Sequence, residues 1–184
     1  MIISIDSDLI LRPLQSRDAE ELYQLTDSCR AYLREWLPWV DGTQSVEHSS
    51  GFIQHCLNQQ ASNNGFNAGI WFKGELAGCI GFHPINWANH YASIGYWLGE
   101  GFQGQGIMKR ACRELVSYSF NELGLNRVEI RCGVENFKSR AIPEKLGFTQ
   151  EGQIRDAAWL YDHYIDLIVY GMLKREWRYR GEEE

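Results

Sequence analysis

The chain has 184 residues, a length that suits one domain, and its 44% hydrophobic residues, including seven tryptophans, can form a core of ordinary size. Basic residues number 18 against 24 acidic ones, giving a net charge of −6, which argues against direct binding of nucleic acid. The five cysteines are scattered without CxxC spacing and the histidines show no ligand spacing, so neither a disulfide framework nor a metal site is expected.

The N-terminal half is predicted to contain one strand, three helices and a β-hairpin. Residues 9–14 form the strand, and Ser16 is the expected N-cap of the first helix. A short helix over residues 32–36 stops before a proline, and a third helix runs over about 45–60. Two strands, over 66–72 and 75–82, are joined by Lys73-Gly74, a pair typical of a tight turn, and a further strand follows over 91–98.

The second half alternates helix and strand. Apolar residues at helical spacing predict a long helix that starts at Ile107 and stops before Gly124, followed by an alternating strand over 128–134. A helix over about 137–146 comes next, then strands at Phe148 and over 164–173. We expect one domain over residues 1–184 of the α/β (α+β) class, with a mixed sheet flanked by helices and a solvated acidic tail over about 180–184.

A glycine loop joins the strand at 91–98 to the long helix, with the sequence Gln-Gly-Gln-Gly-Ile-Met over residues 103–108. Glycine lets the chain turn sharply, and the unpaired N–H groups of a first helical turn attract an anion. The loop therefore predicts a phosphate site. Residues 99–104 also match the dinucleotide pattern GxGxxG, but the expected acidic residue about 20 positions later is missing and too few residues follow for the remaining parallel strands.

With this loop, the strand Gly-Tyr-Trp-Leu before it and Asn-x-x-Ser ahead of Lys-Leu-Gly-Phe, the chain resembles the GNAT superfamily of acetyl-CoA-dependent N-acetyltransferases. The resemblance covers nearly the whole chain. The segments Arg-Pro-Leu at residues 12–14, Trp-Leu-Pro-Trp at 36–39 and Arg-Asp-Ala at 155–157 are similar to the branch that acetylates the N-termini of ribosomal proteins.

The resemblance implies a mostly antiparallel sheet in which two parallel strands splay apart to admit the pantetheine arm of acetyl-CoA. The cofactor diphosphate would lie on the loop, and a backbone N–H near Trp97 or Leu98 would polarise the thioester carbonyl. Gly95 would remove a side chain from this approach, or would mark only a bulge. The expected cofactor-binding residues are Trp97, Leu98, Gln103, Gly104, Gln105, Gly106, Ile107, Met108 and Asn136.

Ser139 and Asn136 are the expected catalytic residues. The resemblance places Ser139 near the thioester sulfur, where its hydroxyl would assist the departing thiolate, and Asn136 would bond the cofactor or hold the helix entry. The same pair could simply start a helix, because Asn is a favoured N-cap and Ser sits harmlessly in the first turn.

The general base is the weak point of the resemblance. The branch commonly carries Glu two residues after its Asp, and Ala158 occupies that position here. Asp156, Asp162 and Glu100 are nearby carboxylates, although surface exposure is the ordinary state of such groups. An α-amine, with a pKa near 7.7 to 8.0, needs only a weak base.

The sequence thus predicts acetyl transfer from acetyl-CoA to an amine by direct attack in a ternary complex, most simply to the N-terminal α-amine of a ribosomal or other protein. A small-molecule amine or lysine acceptor, and a non-catalytic acyl-CoA sensor, remain alternatives. Aromatic residues near the N-terminal helices (Tyr32, Trp36, Trp39) are candidates for the acceptor pocket. With no membrane span or secretion signal, a cytoplasmic location is expected, and a homo-oligomer is left open.

Overall fold

The computed structural model describes residues 2–177, so the predicted acidic tail lies outside the described residues. Eight strands form one sheet in the order β1-β2-β3-β4-β5-β6-β8-β7. The strands are β1 (Ile3–Ser4), β2 (Leu9–Pro13), β3 (Asn67–Phe72), β4 (Glu75–Phe82), β5 (Tyr91–Leu98), β6 (Arg127–Gly133), β7 (Thr149–Leu160) and β8 (His163–Leu173). The helices are α1 (Ala19–Ser28), α2 (Arg30–Arg34), α3 (Val46–Ala61), α4 (Ile107–Asn121) and α5 (Phe137–Lys145).

Neighbouring strands are antiparallel except for β5 and β6, which run parallel. These two strands pair only over Tyr91–Ile94 and Arg127–Ile130, although β5 continues to Leu98 and β6 to Gly133. The sheet therefore opens into a gap beyond Ile94, which confirms the mixed, mostly antiparallel and splayed architecture.

Helix α4 fills one face of the sheet with its apolar side. Ile107, Ala111, Leu115 and Val116 are each at most 1% exposed and join the main core cluster. Burial of an isoleucine, leucine or valine side chain stabilises the fold by roughly 1.5–3 kcal/mol. The other face is covered by α1 and α3, whose Leu22 and Ile53 pack with Trp71 and Cys79 of the sheet. The gap between β5 and β6 thus lies between two helical layers.

Three predictions at the ends of elements need correction. The short helix expected over residues 32–36 is α2 (Arg30–Arg34), which starts and ends two residues earlier. Ser16 does not cap α1: it opens a short 3-10 turn over Ser16–Asp18, and the carboxylate of Asp18 accepts the Gln15 N–H at 2.7 Å. The strand expected at Phe148 is the twelve-residue β7, which starts one residue later. Its residues are exposed nearly throughout, so it lacks the alternation that reveals a half-buried strand.

The hairpin turn, the start of α3 after Ser45 and the end of α5 before Gly147 agree with the predictions. Lys73 and Gly74 both have positive φ, at 52° and 86°, as a two-residue hairpin turn requires. Between residues 2 and 177, no helix is both long and apolar enough to cross a bilayer.

Candidate active site

The loop before α4 exposes unpaired backbone donors. Gly104 and Gly106 have φ values of 76° and 70°, and a Cβ on either would meet no atom within 4 Å. Gly106 is the N-cap of α4 without a side-chain cap, and Arg110 N–H donates to its carbonyl at 3.1 Å. The N–H groups of the first turn therefore have no helical acceptor, and the turn beside them is open, as an anion-binding loop requires.

Some of the predicted cofactor residues line a cleft, whereas others form the exposed turn of the loop. Gln103, Met108, Leu98 and Trp97 line a cleft of about 110 Å³ at the gap between β5 and β6. Met108 is only 6% exposed and packs in the core, so its bulk fills the cleft floor rather than the phosphate loop. Gly104, Gln105 and Gly106 form the exposed turn, and Ile107 is buried beneath it.

The backbone groups of β5 point alternately toward β4 and toward the gap. The Ser93 carbonyl accepts the N–H of His83, the residue after β4, and the N–H of Gly99, the residue after β5, donates to Ala77 of β4. Along an antiparallel pair the direction alternates, so Trp97 also points to β4, while Tyr96 and Leu98 point into the gap. Of the two positions expected beside the thioester, Leu98 offers its N–H to the cleft, whereas Trp97 contributes its side chain.

Asn136 and Ser139 lie in the wall of the same cleft, at the start of α5. The Asn136 side chain accepts the Ser139 N–H at 3.1 Å, so it caps the helix, which is one of the two roles predicted for it. The Ser139 hydroxyl donates to Tyr96 Oη at 3.4 Å and lies 3.3 Å from Cys132 Sγ. Tyr96 in turn donates to the Ser139 carbonyl at 2.9 Å.

No sequence pattern predicts a role for Tyr96, yet it joins β5 to α5 across the gap. Burial, with the nearby Cys132 and Cys112, raises its pKa well above the usual value of tyrosine. Burial also raises the pKa of the Cys132 thiol, against the effect of the Ser139 hydrogen bond. Both groups are therefore neutral at pH 7, and the hydroxyls of Tyr96 and Ser139 form a neutral chain of donors beside the cleft.

Helix α5 is held in place from β8. Tyr170 is fully buried, its hydroxyl accepts Arg140 Nε–H at 2.9 Å, and it donates to Glu144 Oε1 at 2.6 Å. Arg140 also donates to the Val134 carbonyl at 2.7 Å. Bonds of this kind to charged groups contribute about 1.5–3 kcal/mol each, so they fix the position from which Ser139 reaches the cleft.

A second, larger cavity of about 570 Å³ lies on the opposite side of β5, under α1 and α3. It shares Leu37, Tyr96 and Trp97 with the cleft, so the two spaces meet at β5. Its wall includes Trp39, which packs on Trp97 at 5.6 Å between ring centroids. Of the predicted aromatic cluster, Trp39 thus lines this second cavity, whereas Tyr32 and Trp36 line the cleft.

The three carboxylates considered as bases line neither of these two spaces. Asp162 lies in a third cavity of about 610 Å³, which shares only Trp36 with the cleft, and it contacts His163 Nδ1 at 2.6 Å. Asp156 is exposed on β7, where its N–H donates to Asp166, and Glu100 is exposed in the turn before the loop. Ala158 pairs with Ile165 in the β7–β8 hairpin and likewise lies outside both linings.

A glycine loop with unpaired N–H groups beside a strand gap, with hydroxyls at the far wall, is the arrangement expected of a protein that holds a phosphate-bearing ligand with an extended arm. The family model described as an acetyltransferase (GNAT) domain matches residues 8–149. The chain belongs to this family and is an acetyl-CoA-dependent N-acetyltransferase.

Similar proteins cover nearly the whole chain. A Bacillus subtilis (strain 168) protein with the provisional name of ribosomal N-acetyltransferase, YdaF, is 39% identical over 174 residues, 94% of this chain and 95% of its own. The ribosomal-protein-serine acetyltransferase of Escherichia coli (strain K12) is 32% identical, covering 93% and 96%. The solved structure of RimL, a ribosomal L7/L12 α-N-protein acetyltransferase in complex with coenzyme A, superposes with a TM-score of 0.91 at 31% identity, covering 94% of this chain and 98% of that one.

Proposed function

We propose that the acceptor is the N-terminal α-amine of a protein, a ribosomal protein being the class that the names of its relatives favour. The observation that carries this proposal is the lining of the second cavity. Its walls are apolar or neutral, with Leu22, Phe52 and Trp97 among them, and among the residues described there is no Asp or Glu in this lining.

A cavity without carboxylates suits one amine on a neutral chain better than a polyamine. Each additional ammonium group would lose its hydration there without a partner charge, at a cost of several kcal/mol. An N-terminal peptide brings a single amine, whose pKa near 7.7 to 8.0 already gives a sizeable neutral fraction at pH 7. The apolar wall then receives the first side chains of the peptide.

On the cofactor side, the proposal assigns the acetyl-CoA diphosphate to the backbone N–H groups of residues 104–108. Its thioester lies between the Leu98 N–H and the hydroxyl of Ser139. The Leu98 N–H polarises the thioester carbonyl, and the Ser139 hydroxyl stabilises the departing thiolate. Exposed Lys109 and Lys145 add little, because charges free in solvent are strongly screened. An enzyme that modifies ribosomal proteins works in the cytoplasm, so that is the proposed location.

A panel of acceptors tests this assignment. Thiol release from acetyl-CoA would be measured with short peptides that begin with Ser, Ala or Met, with spermidine, with alaninamide, and with a peptide that offers only a lysine ε-amine. We expect kcat/KM for the best α-amine peptide to exceed that for spermidine and lysine by at least about tenfold.

The opposite preferences would contradict the proposal in distinct ways. Faster turnover of spermidine would move the acceptor to the third cavity, whose lining carries Glu35, Glu135, Asp162 and Asp166. Tight binding of acetyl-CoA without thiol release from any amine would instead indicate a sensor that retains the cofactor cleft.

A further inference from the structure

The wall of the second cavity includes an exposed histidine, His83, whose spacing in the sequence predicts no ligand role. His83 follows β4 directly, and its ring lies over Gly95 of β5. A Cβ built on Gly95 would lie 3.0 Å from His83 Cε1 and 3.2 Å from Nε2, so the missing side chain of Gly95 is what makes room for the imidazole. The pairing of Gly81 with Gly95 is in continuous register, so Gly95 does not mark a bulge.

Two contacts with one residue hold His83 in this position. Its backbone N–H donates to the Ser93 carbonyl at 3.0 Å, and its Nδ1 lies 2.9 Å from Ser93 Oγ. When Nδ1 carries the proton and donates to this hydroxyl, Nε2 keeps its lone pair. Within residues 2–177 no hydrogen bond reaches Nε2, which lies against Gly95 at the cavity wall.

His83 also lies close to the place where the two spaces meet. Tyr96, which lines both of them, is one residue along β5 from Gly95, a rise of about 3.3 Å. An amine that enters from the second cavity toward the cleft therefore passes the imidazole. Gly95 is three residues along β5 from Leu98, a rise of about 10 Å, so the proton of an amine beside the Leu98 N–H reaches the imidazole through bridging water.

The other titratable groups of this wall do not act as bases at neutral pH. Burial raises the pKa of the Cys79 thiol far above its usual range, and burial likewise raises that of Tyr96. The pKa of His83 is shifted downward: although the residue stays exposed on one side, partial burial of its ring, then the positive charge of Arg131 on β6, lower the pKa, while the Ser93 carbonyl opposes them. Arg131 itself is paired with Glu129 at 3.0 Å. The imidazole is therefore neutral at pH 7.

We propose that His83 is the proton acceptor for the attacking amine, in a chain that carries Ala158 where its relatives' branch would place a carboxylate. The proposal rests on acetyl transfer to an amine and holds for any acceptor that enters through the second cavity. It explains how a cavity wall without carboxylates still supplies a base.

The proton and electron balance is complete. The nitrogen lone pair forms the bond to the acetyl carbon while the carbonyl π electrons move to oxygen, and Nε2 of His83 takes the proton from nitrogen. The oxyanion then reforms the carbonyl, the C–S bond breaks with its electron pair on sulfur, and the thiolate takes a proton from water. His83 returns its proton to solvent, so amine and thioester become amide and thiol without another reactant.

The test compares His83→Gln with a matched control, His55→Gln, which changes an exposed histidine on α3. Both would be assayed with the fastest α-amine acceptor of the panel above, a peptide or alaninamide, because the proposal concerns acceptors that enter through the second cavity. We expect His83→Gln to lower kcat by about 100-fold at pH 7, with coenzyme A affinity and melting temperature close to wild type. His55→Gln should leave all three unchanged.

The pH profile separates proton transfer from a structural role. In the wild type, kcat/KM should fall with falling pH first through the amine pKa and then, more steeply, through the pKa of His83 below about 6.5, because the protonated ring cannot accept a proton. His83→Gln should keep only the amine limb. NMR titration of the His83 ring should give the same pKa as the lost limb, a readout that is independent of turnover.

Chemical rescue completes the test. In His83→Ala, added imidazole should restore activity by about tenfold or more, because the vacated space over Gly95 accepts it. A folded His83→Gln enzyme with wild-type kcat and an unchanged pH profile would overturn the proposal, as would a folded His83→Ala enzyme that imidazole does not rescue. Either result leaves the acceptor assignment intact, since that assignment depends on the ranking of amines.

Discussion

Three glycines in and just before the loop ahead of α4 differ in one variable, the backbone φ angle. A Cβ added at Gly101, Gly104 or Gly106 would meet no atom within 4 Å, so none of the three substitutions to Ala creates a clash. Gly104 and Gly106 have positive φ, whereas Gly101 lies in the 3-10 turn before them with an ordinary φ. Backbone conformation alone separates them.

The size of the effect follows from that conformation. An L-residue in the left-handed region costs about 1–2 kcal/mol, so Gly106→Ala should lose that amount either in stability or in cofactor binding. If the free loop relaxes to negative φ, its N–H groups turn away and coenzyme A affinity falls by about 5- to 30-fold. If the loop keeps its shape, the loss appears in the free energy of unfolding. Gly101→Ala should instead be neutral or stabilising by up to about 1 kcal/mol.

Two measurements on each variant test this reasoning. Urea unfolding gives the change in stability, and calorimetric titration with coenzyme A gives the change in affinity. The two losses of Gly106→Ala should sum to about 1–2 kcal/mol, and Gly104→Ala should behave alike. Equal effects for Gly101→Ala and Gly106→Ala would refute the role assigned to the left-handed backbone, and so would unchanged stability together with unchanged affinity for Gly106→Ala.

Three further changes follow from the contacts of the site and the fold. Tyr170→Phe removes the hydroxyl between Arg140 and Glu144 and should cost about 1.5–3 kcal/mol in urea unfolding while lowering kcat, since α5 loses its anchor. Ser139→Ala should lower kcat by about 100-fold while coenzyme A affinity measured by calorimetry stays near wild type. Parallel losses of stability and activity would instead limit the Ser139 hydroxyl to a structural role through its contacts with Tyr96 and Cys132.

The Arg12–Asp18 pair should make stability fall in acid. Burial alone would raise the pKa of Asp18, but hydrogen bonds from Arg12 and the Gln15 N–H outweigh it and lower the pKa. A lowered folded pKa means that this stabilisation is present above about pH 4 and disappears as pH falls through the folded value. Asp18→Asn should therefore lower the free energy of unfolding by about 3 kcal/mol at pH 7. In urea unfolding between pH 3 and 7, the stability of this variant should also fall less steeply with pH than that of the wild type. An unchanged pH dependence would contradict the role of the pair.

Much of the fold follows from local chemistry in the sequence. Lys73-Gly74 and Gly147 have positive φ, and they lie where the sequence predicts the β3–β4 turn and the end of α5. The apolar periodicity of α4 correctly predicts that this helix packs on the sheet. The length of strand β7 was not predicted, because its residues are exposed nearly throughout and it is held only by pairing with β8. A strand stabilised by a distant partner leaves no periodic signal in its own residues.

The candidate site divides in the same way. The loop over residues 103–108 and the pair Asn136–Ser139 are short segments whose spacing indicates their chemistry. The structure brings the two ends of the loop, Gln103 and Met108, to the same cleft as that pair. His83 and Tyr96 depend on the register between β4 and β5 and on the packing of α5, which no window of sequence contains. One signal was available. The pairing of β4 with β5 places His83 opposite Ser93 and diagonal to Gly95, and a glycine in a strand leaves space that a neighbouring side chain can occupy.

The central claim is that the gap beyond Ile94 holds acetyl-CoA between the α4 loop and Ser139. A crystal structure with a non-hydrolysable acetyl-CoA analogue and a slow acceptor peptide tests it most directly. The account predicts the diphosphate on the N–H groups of residues 104–108, the sulfur beside Ser139 and the peptide amine on the His83 side of Tyr96. A diphosphate bound elsewhere, or an analogue arm that bypasses the gap between β5 and β6, would contradict it.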